Sequence, residues 1–257
     1  MRQPPSRCAM ERAMQADAGA DLGQRKASRN AEASRAKILD AARAEFVTHG
    51  LSGARVDRIA QQAGLNKNLI YHYFHNKEAL YLEVLETIYS GLRANQRDFE
   101  VRDLSPVEGM RSLVAHTFDH FVATPDLIRL MSIENIHYAH YLKQSKTVKP
   151  LYVPLLETIE TLLERGQADG VFRRNVDAVD LYLSISALAY FYLSNRYTLS
   201  WIFDQKFDDP KRLNKRRAHV VDMVLGYLEH TPDDDAQTAS GGRIRKAQPP
   251  KHRLRTR

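Results

Sequence analysis

The chain has 257 residues, 43% of them apolar, and a formal net charge of +7; that is enough for one large or two modest domains with a buried core. Its single cysteine, Cys8, excludes a disulfide framework or a cysteine-built zinc site within one chain and fits a reducing compartment. No apolar run approaches the roughly 18 residues of a membrane span, and the N-terminus lacks the apolar core of a signal peptide, so a cytoplasmic protein without a membrane partner is expected.

The charge is unevenly placed. Residues 1–33 carry a net +2, residues 231–257 a net +4 and residues 34–230 only +1. Both ends read as disordered tails by composition. The stretch from Gly241 to Arg257 contains no acid and is attracted to polyanions, either to add salt-dependent DNA affinity or simply as a solubilising tail.

The first helix is expected from Ser34, a good N-cap, to His49. Ile38, Ala42 and Phe46 form its apolar stripe, and Gly50 suits the left-handed position that ends it. A second helix is expected over 56–63, with Val56, Ile59, Ala60 and Ala63 buried. Gly64 breaks the pattern, Leu65 plugs the turn, and Asn66 caps a third helix over 67–74. Ile70, Tyr73 and Phe74 share the face towards the other helices, leaving Lys67, Asn68, Tyr71 and His72 on another face. Those side chains suit DNA: lysine reads guanine or phosphate, asparagine pairs with adenine, and Tyr and His reach phosphates or thymine methyls. Lys77 opens a fourth helix where the dipole disfavours a cation, which points to a phosphate beside the helix N-terminus.

Residues 34–82 thus read as a three-helix, helix-turn-helix head. Ala41-Ala42, Phe46, Gly50, Val56, Ile59-Ala60, Ala63-Gly64-Leu65, Tyr71, Phe74 and Lys77-Glu78 resemble the N-terminal domain of tetracycline-repressor-like (TetR-family) regulators. Two departures stand out. Arg55 occupies the place of a small hydroxyl residue opening the second helix, losing a cap and adding a cation. Asn66-Lys67-Asn68 replaces a common Ser-x-Gly at the recognition helix. The candidate DNA contacts are Arg55, Asn66, Lys67, Asn68, Leu69, Tyr71, His72, Tyr73 and Lys77, although Tyr73 reads as core by spacing.

From 83 to 230 the pattern stays helical, with further helices expected at 106–123, 126–144, 150–168, 177–203 and 210–229 after one at 77–98. The chain is therefore expected to be all-α: an N-terminal DNA-binding head and a C-terminal helical domain. The segment 177–203 is apolar nearly all round and needs cover on most sides. The resemblance implies a homodimer, its four-helix interface drawn from 150–168 and 177–203. Val220, Val224 and Leu228 of the last helix are further contributors.

Polar groups within this region mark a candidate pocket: His116, His120, Glu134, His137, Tyr138, Asn195 and Trp201. The resemblance implies a small-molecule inducer bound between these helices, no cofactor, and a ligand-responsive dimeric repressor on a palindromic operator. Two other readings remain. One is a helical-bundle metalloenzyme using His116, His120, Glu134 and His137, although a di-iron bundle needs two Glu-x-x-His steps and only one is present. The other is an architectural DNA-binding protein working through its basic tail.

Overall fold

The computed structural model describes residues 7–97 and 103–229, with side chains over 29–91 and 103–229. The expected basic tail at 231–257 lies outside the described residues. The described chain is helical throughout apart from turns and one isolated antiparallel bridge between Phe172 and Glu229.

The head comprises α1 (Arg7–Gly53), α2 (Val56–Ala63) and α3 (Lys67–Phe74). α1 starts well before the expected Ser34, so Ser34 is not an N-cap; its hydroxyl donates to the Asn30 carbonyl at 2.9 Å. Alanine recurs through residues 9–33 and costs the least to hold in a helix. The helical path of α1 breaks at Gly50, with φ 62 and ψ 178. That corner of backbone space is open essentially to glycine alone, which is why the chain turns there. Gly64 ends α2 in the left-handed region (φ 66), and its N–H reaches the Ala60 and Gln61 carbonyls. Asn66 caps α3 by accepting from the Asn68 N–H at 2.8 Å. Ile38, Phe46, Ile59, Ile70 and Phe74 fill the space between the three helices. Burying side chains of this size contributes about 1.5–3 kcal/mol each.

α4 (Lys77–Arg97) runs from the head into the body. Its N-cap is Asn76, which accepts from the Ala79 N–H at 2.7 Å. Tyr81 of α4 is fully buried and meets Phe46 of the head edge-on at 5.1 Å between ring centres. The other edge contact of Tyr81 is Tyr141 of the body, at 5.4 Å.

The body contains α5 (Pro106–Ala123), α6 (Pro125–Ile136), α7 (Val153–Ala168), α8 (Ala178–Ser194), α9 (Arg196–Phe203) and α10 (Pro210–Leu228). α5 lies against α7, α8 and α10, and α6 reaches back to α1 of the head. Start signals visible in the sequence work as caps here. Ser105 accepts from Glu108 N–H before Pro106, and Asp209 accepts from the N–H groups of Lys211 and Arg212 around Pro210.

Three expected helices differ. The segment 126–144 is not continuous: α6 stops at Ile136, and Tyr138 and Ala139 take positive φ. The segment 150–168 opens as a 3-10 turn over Lys149–Tyr152, and the α-helix follows from Val153. Pro154 lacks the N–H that would continue the earlier turn, so the α-helix starts late. The segment 177–203 divides at Asn195 into α8 and α9.

The apolar surface also differs from expectation. Leu155, Ile159, Leu162 and Leu163 of α7, and Val220, Val224 and Leu228 of α10, are buried in the chain's own core. Among the apolar side chains left outward are Val179, Leu183 and Phe191 of α8, Tyr197, Trp201, Ile202 and Phe203 of α9, and Met223 and Tyr227 of α10. On α8 they lie four and eight residues apart, with exposed Ala187 between Leu183 and Phe191, one stripe of a helix whose opposite side, Leu181, Ile185 and Ala189, is buried.

Candidate nucleic-acid interface and effector core

α2 and α3 are eight residues each, too short to hold helical shape alone. Packing on α1 and α4 therefore sets their orientation. Ile70 and Phe74 anchor α3 inward, and Asn68, Tyr71 and His72 are exposed on its outer side, Tyr71 at 41%. Leu69 and Tyr73 are half-buried, and Tyr73 lies edge-on to His72 and Phe74. Tyr73 packs on the core, as its spacing implies.

The side chain of Asn66 is engaged as the α3 cap. Lys67 is not a free cation either: its Nζ lies 2.7 Å from Asp57 Oδ1 in the first turn of α2. The hydrogen bond to Asp57, with the charge of that carboxylate, raises the Lys67 ammonium above its ordinary value. Lys77, half-buried, donates to the Ala54 carbonyl at 3.3 Å. That carbonyl belongs to the turn between α1 and α2, so the cation ties the start of α4 to the start of α2.

Arg55 has no side-chain cap to offer α2. The compensation is Glu45 of α1, which was not legible as a site residue. Only 6% exposed, its Oε1 accepts from the Arg55 N–H at 2.9 Å and from Arg58 Nε at 2.7 Å. It acts as the glutamate half of a capping box supplied by another helix. Burial pushes the Glu45 carboxyl up, but the Arg58 and Arg55 hydrogen bonds and the charges of Arg58 and His49 outweigh it and leave it below its usual value.

In the body the predicted pocket residues divide. His120 and Glu134 are buried and His116 is partly so. His137, Tyr138 (85% exposed) and Trp201 (86% exposed) face outward, and the Asn195 amide is satisfied by the Phe191 carbonyl and Ser194 hydroxyl. His137 caps the end of α6 and is exposed, whereas Glu134 is buried, so the expected i, i+3 pair does not form one site. Among the described residues, no group of three or more His, Cys, Asp or Glu side chains is placed to hold a metal ion.

What surrounds Glu134 instead is tyrosine. Its Oε2 accepts from the Leu142 N–H at 2.9 Å, fastening the turn after α6. Tyr81 lies close by, off the geometry of a well-formed hydrogen bond. Burial first, then the Glu134 charge, raises the hydroxyls of Tyr81 and Tyr89, the latter to about 12. Tyr190 meets the Ser132 hydroxyl at 2.8 Å. Nothing in the sequence singles out Tyr81 or Tyr89; their nearness to one buried carboxylate sets them apart.

A head whose second short helix turns asparagine, tyrosine and histidine outward, set on a helical body, defines a DNA-binding transcriptional regulator of the helix-turn-helix class. Comparison with known proteins gives the same class. Residues 38–84 match the family described as "Bacterial regulatory proteins, tetR family", and residues 106–224 match "Tetracyclin repressor-like, C-terminal domain". The chain is 36% identical over 203 residues to the HTH-type transcriptional repressor NicS of Pseudomonas putida, covering 78% of this chain and 95% of that protein. It is 31% identical over 175 residues to the HTH-type transcriptional repressor SCO4008 of Streptomyces coelicolor, covering 63% and 80%. Among solved structures, the regulator SCO4942 of Streptomyces coelicolor superposes with a TM-score of 0.58 at 32% identity, covering 76% of this chain and 98% of that one. The chain belongs to the TetR family of transcriptional regulators. Among the described residues no helix is long and apolar enough to cross a membrane.

Proposed function

We propose that the chain is a dimeric, effector-responsive repressor that reads a palindromic operator through α3. The observation that carries the reading is the division of α3: Ile70 and Phe74 inward, Asn68, Tyr71 and His72 outward, on a helix capped by Asn66. Asn68 supplies base readout, and Tyr71 and His72 meet phosphates or thymine methyls. Lys67 reaches DNA by exchanging its Asp57 partner, while Arg55 and Lys77 add positive charge near the backbone. Leu69 and Tyr73 support the helix from its half-buried flank.

Two such helices in successive major grooves require a two-fold dimer. The outward stripe of Val179, Leu183 and Phe191, with Met223 and Tyr227 on α10, is the face we assign to it. NicS and SCO4008 carry the name repressor, and repression is the sense proposed here. The effector enters the body around the buried polar groups of α4, α5 and α6, Glu134, His116 and His120 among them. Its path to DNA is short, because α6 touches the head: Asp126 pairs with Arg43 of α1 at 2.8 Å, and Ile133 lies beside Gly50. An effector works only by binding one spacing of the two heads better than another.

The test is Asn68→Ala against a panel of single-base operator variants. Loss of one bidentate contact should relax preference at one position in each half-site by about 1–3 kcal/mol. Unchanged preference at every position would refute the docking of α3.

A further inference from the structure

The buried polar centre of the body specifies the charge of what it binds. Glu134 is 2% exposed, and only its Oε2 has a partner, the Leu142 N–H. Oε1 and the nearby Tyr81 hydroxyl do not meet in well-formed hydrogen-bond geometry, and the Ser186 hydroxyl is buried without a hydrogen-bond partner. Ionised or polar groups left so inside a protein are costly unless something completes them. Tyr81 belongs to α4, Glu134 to α6 and Ser186 to α8; Tyr89 of α4 and Tyr190 of α8, the latter already paired with Ser132, are the further polar side chains these helices carry here. Ser186 and Tyr190 are one turn apart on α8, Tyr190 is bonded to Ser132 two residues before Glu134, and Tyr89 feels the charge of Glu134. Among the described residues no arginine or lysine is paired with Glu134. The nearby groups are the tyrosines Tyr81 and Tyr89, and aromatic rings attract cations.

We propose that the effector is a small aromatic organic cation, its ammonium or protonated ring nitrogen paired with Glu134 and its ring held among Tyr81, Tyr89 and Tyr190. The assignment rests on the effector-responsive reading above and adds the chemical class. An anionic effector would meet an unshielded carboxylate, and a neutral one would leave Oε1 with at most a weak partner. The position also carries a consequence. Tyr81 touches Phe46 of the head on one side and Tyr141 on the other, so a ligand that draws on Glu134 and Tyr81 acts directly on the joint between head and body.

The experiment is calorimetric titration of the full chain with three probes of one shape: phenethylammonium, 2-phenylethanol and phenylacetate. Wild type, Glu134→Gln and Tyr81→Phe are compared. The amide of Glu134→Gln keeps an acceptor for the Leu142 N–H, and Tyr81→Phe keeps the ring between Phe46 and Tyr141. The expected result is a cation at least about tenfold tighter than either other probe. Glu134→Gln should cost the cation about 10–100-fold and leave the alcohol unchanged, and Tyr81→Phe should weaken the cation by a smaller factor. Phenylacetate or the alcohol binding as tightly as the cation overturns the charge class while leaving an effector site in place. Unchanged cation affinity in both variants overturns the role of Glu134 and Tyr81. If none of the three probes binds, the cation assignment is wrong. The broader effector reading fails only if a chemically mixed small-molecule library also leaves the melting temperature and operator affinity unmoved.

Discussion

Replacing Glu45 by alanine removes the group that fastens the DNA-reading helices to α1. Three interactions are lost at once: the acceptor for the Arg55 N–H at 2.9 Å, the Arg58 Nε hydrogen bond at 2.7 Å, and the contact of His49 Nε2 with Oε2 at 3.7 Å. A hydrogen bond to a charged group contributes about 1.5–3 kcal/mol. Arg58 and His49 are 40% and 43% exposed, so solvent screens much of their share. The lost Arg55 bond dominates, and Glu45→Ala should cost about 2–3 kcal/mol, a large fraction of a domain's stability. The pH dependence follows from the sign of the shift. The folded carboxyl lies below its ordinary value of 4.5, so its contribution is complete above that value and is lost as pH falls through the folded one. Urea unfolding of wild type and variant between pH 7 and pH 3 measures both. The gap should be flat near neutrality and close in acid. A gap below about 0.5 kcal/mol at pH 7, within the range of an ordinary surface substitution, or one that persists undiminished at pH 3, would refute the capping role of Glu45.

Further outcomes follow from other positions. Gly50→Ala should destabilise the chain by about 1–3 kcal/mol through backbone strain alone, since a Cβ there finds its nearest neighbour, Ile133, at 4.0 Å; thermal melts report it, and an unchanged midpoint would mean the turn relaxes freely. Leu183→Glu, placing a charge in the middle of the outward α8 stripe, should convert a dimer into a monomer by sedimentation without lowering helix content; a variant still dimeric would place the interface elsewhere. Asp57→Asn releases Lys67 and removes a negative charge from the DNA-facing side, so operator and non-specific affinities should both rise, with a steeper salt dependence. Weaker binding by Asp57→Asn would show instead that the pair positions Lys67 for its contact.

The helices were legible where an end carries a chemical signal. Gly64, Asn66, Ser105-Pro106 and Asp209-Pro210 act as the caps and first-turn residues their types imply. Where no such signal exists, the sequence misleads. Nothing marks the end of α6 at Ile136, because Tyr138 and Ala139 take positive φ without glycine; the strain is held by Glu134, whose side chain and carbonyl take the Leu142 and Ala139 N–H groups. The Glu134-x-x-His137 step lies at the last turn of α6, where Glu134 is buried and His137 exposed, so the spacing alone does not make a site. Glu45 carries no sequence signal for a different reason. It stands beside Phe46 in α1, and only the packing of α2 against that flank converts it from a surface acid into a cap. The tyrosines beside Glu134 carry no sequence signal of their own, since periodicity reports which face is buried and not what meets there.

The central claim, that α3 reads a palindromic sequence as part of a dimer, is tested most directly by selecting bound duplexes from a random DNA pool at about 150 mM salt. Wild type is compared with a Lys67→Ala/Asn68→Ala double variant. The account predicts an inverted-repeat motif from the wild type, its half-sites about 10 base pairs or a multiple apart, and loss of that motif in the variant. A motif that survives in the variant, or no motif at all with binding that disappears as salt rises, would contradict it and assign DNA binding to positive charge elsewhere in the chain.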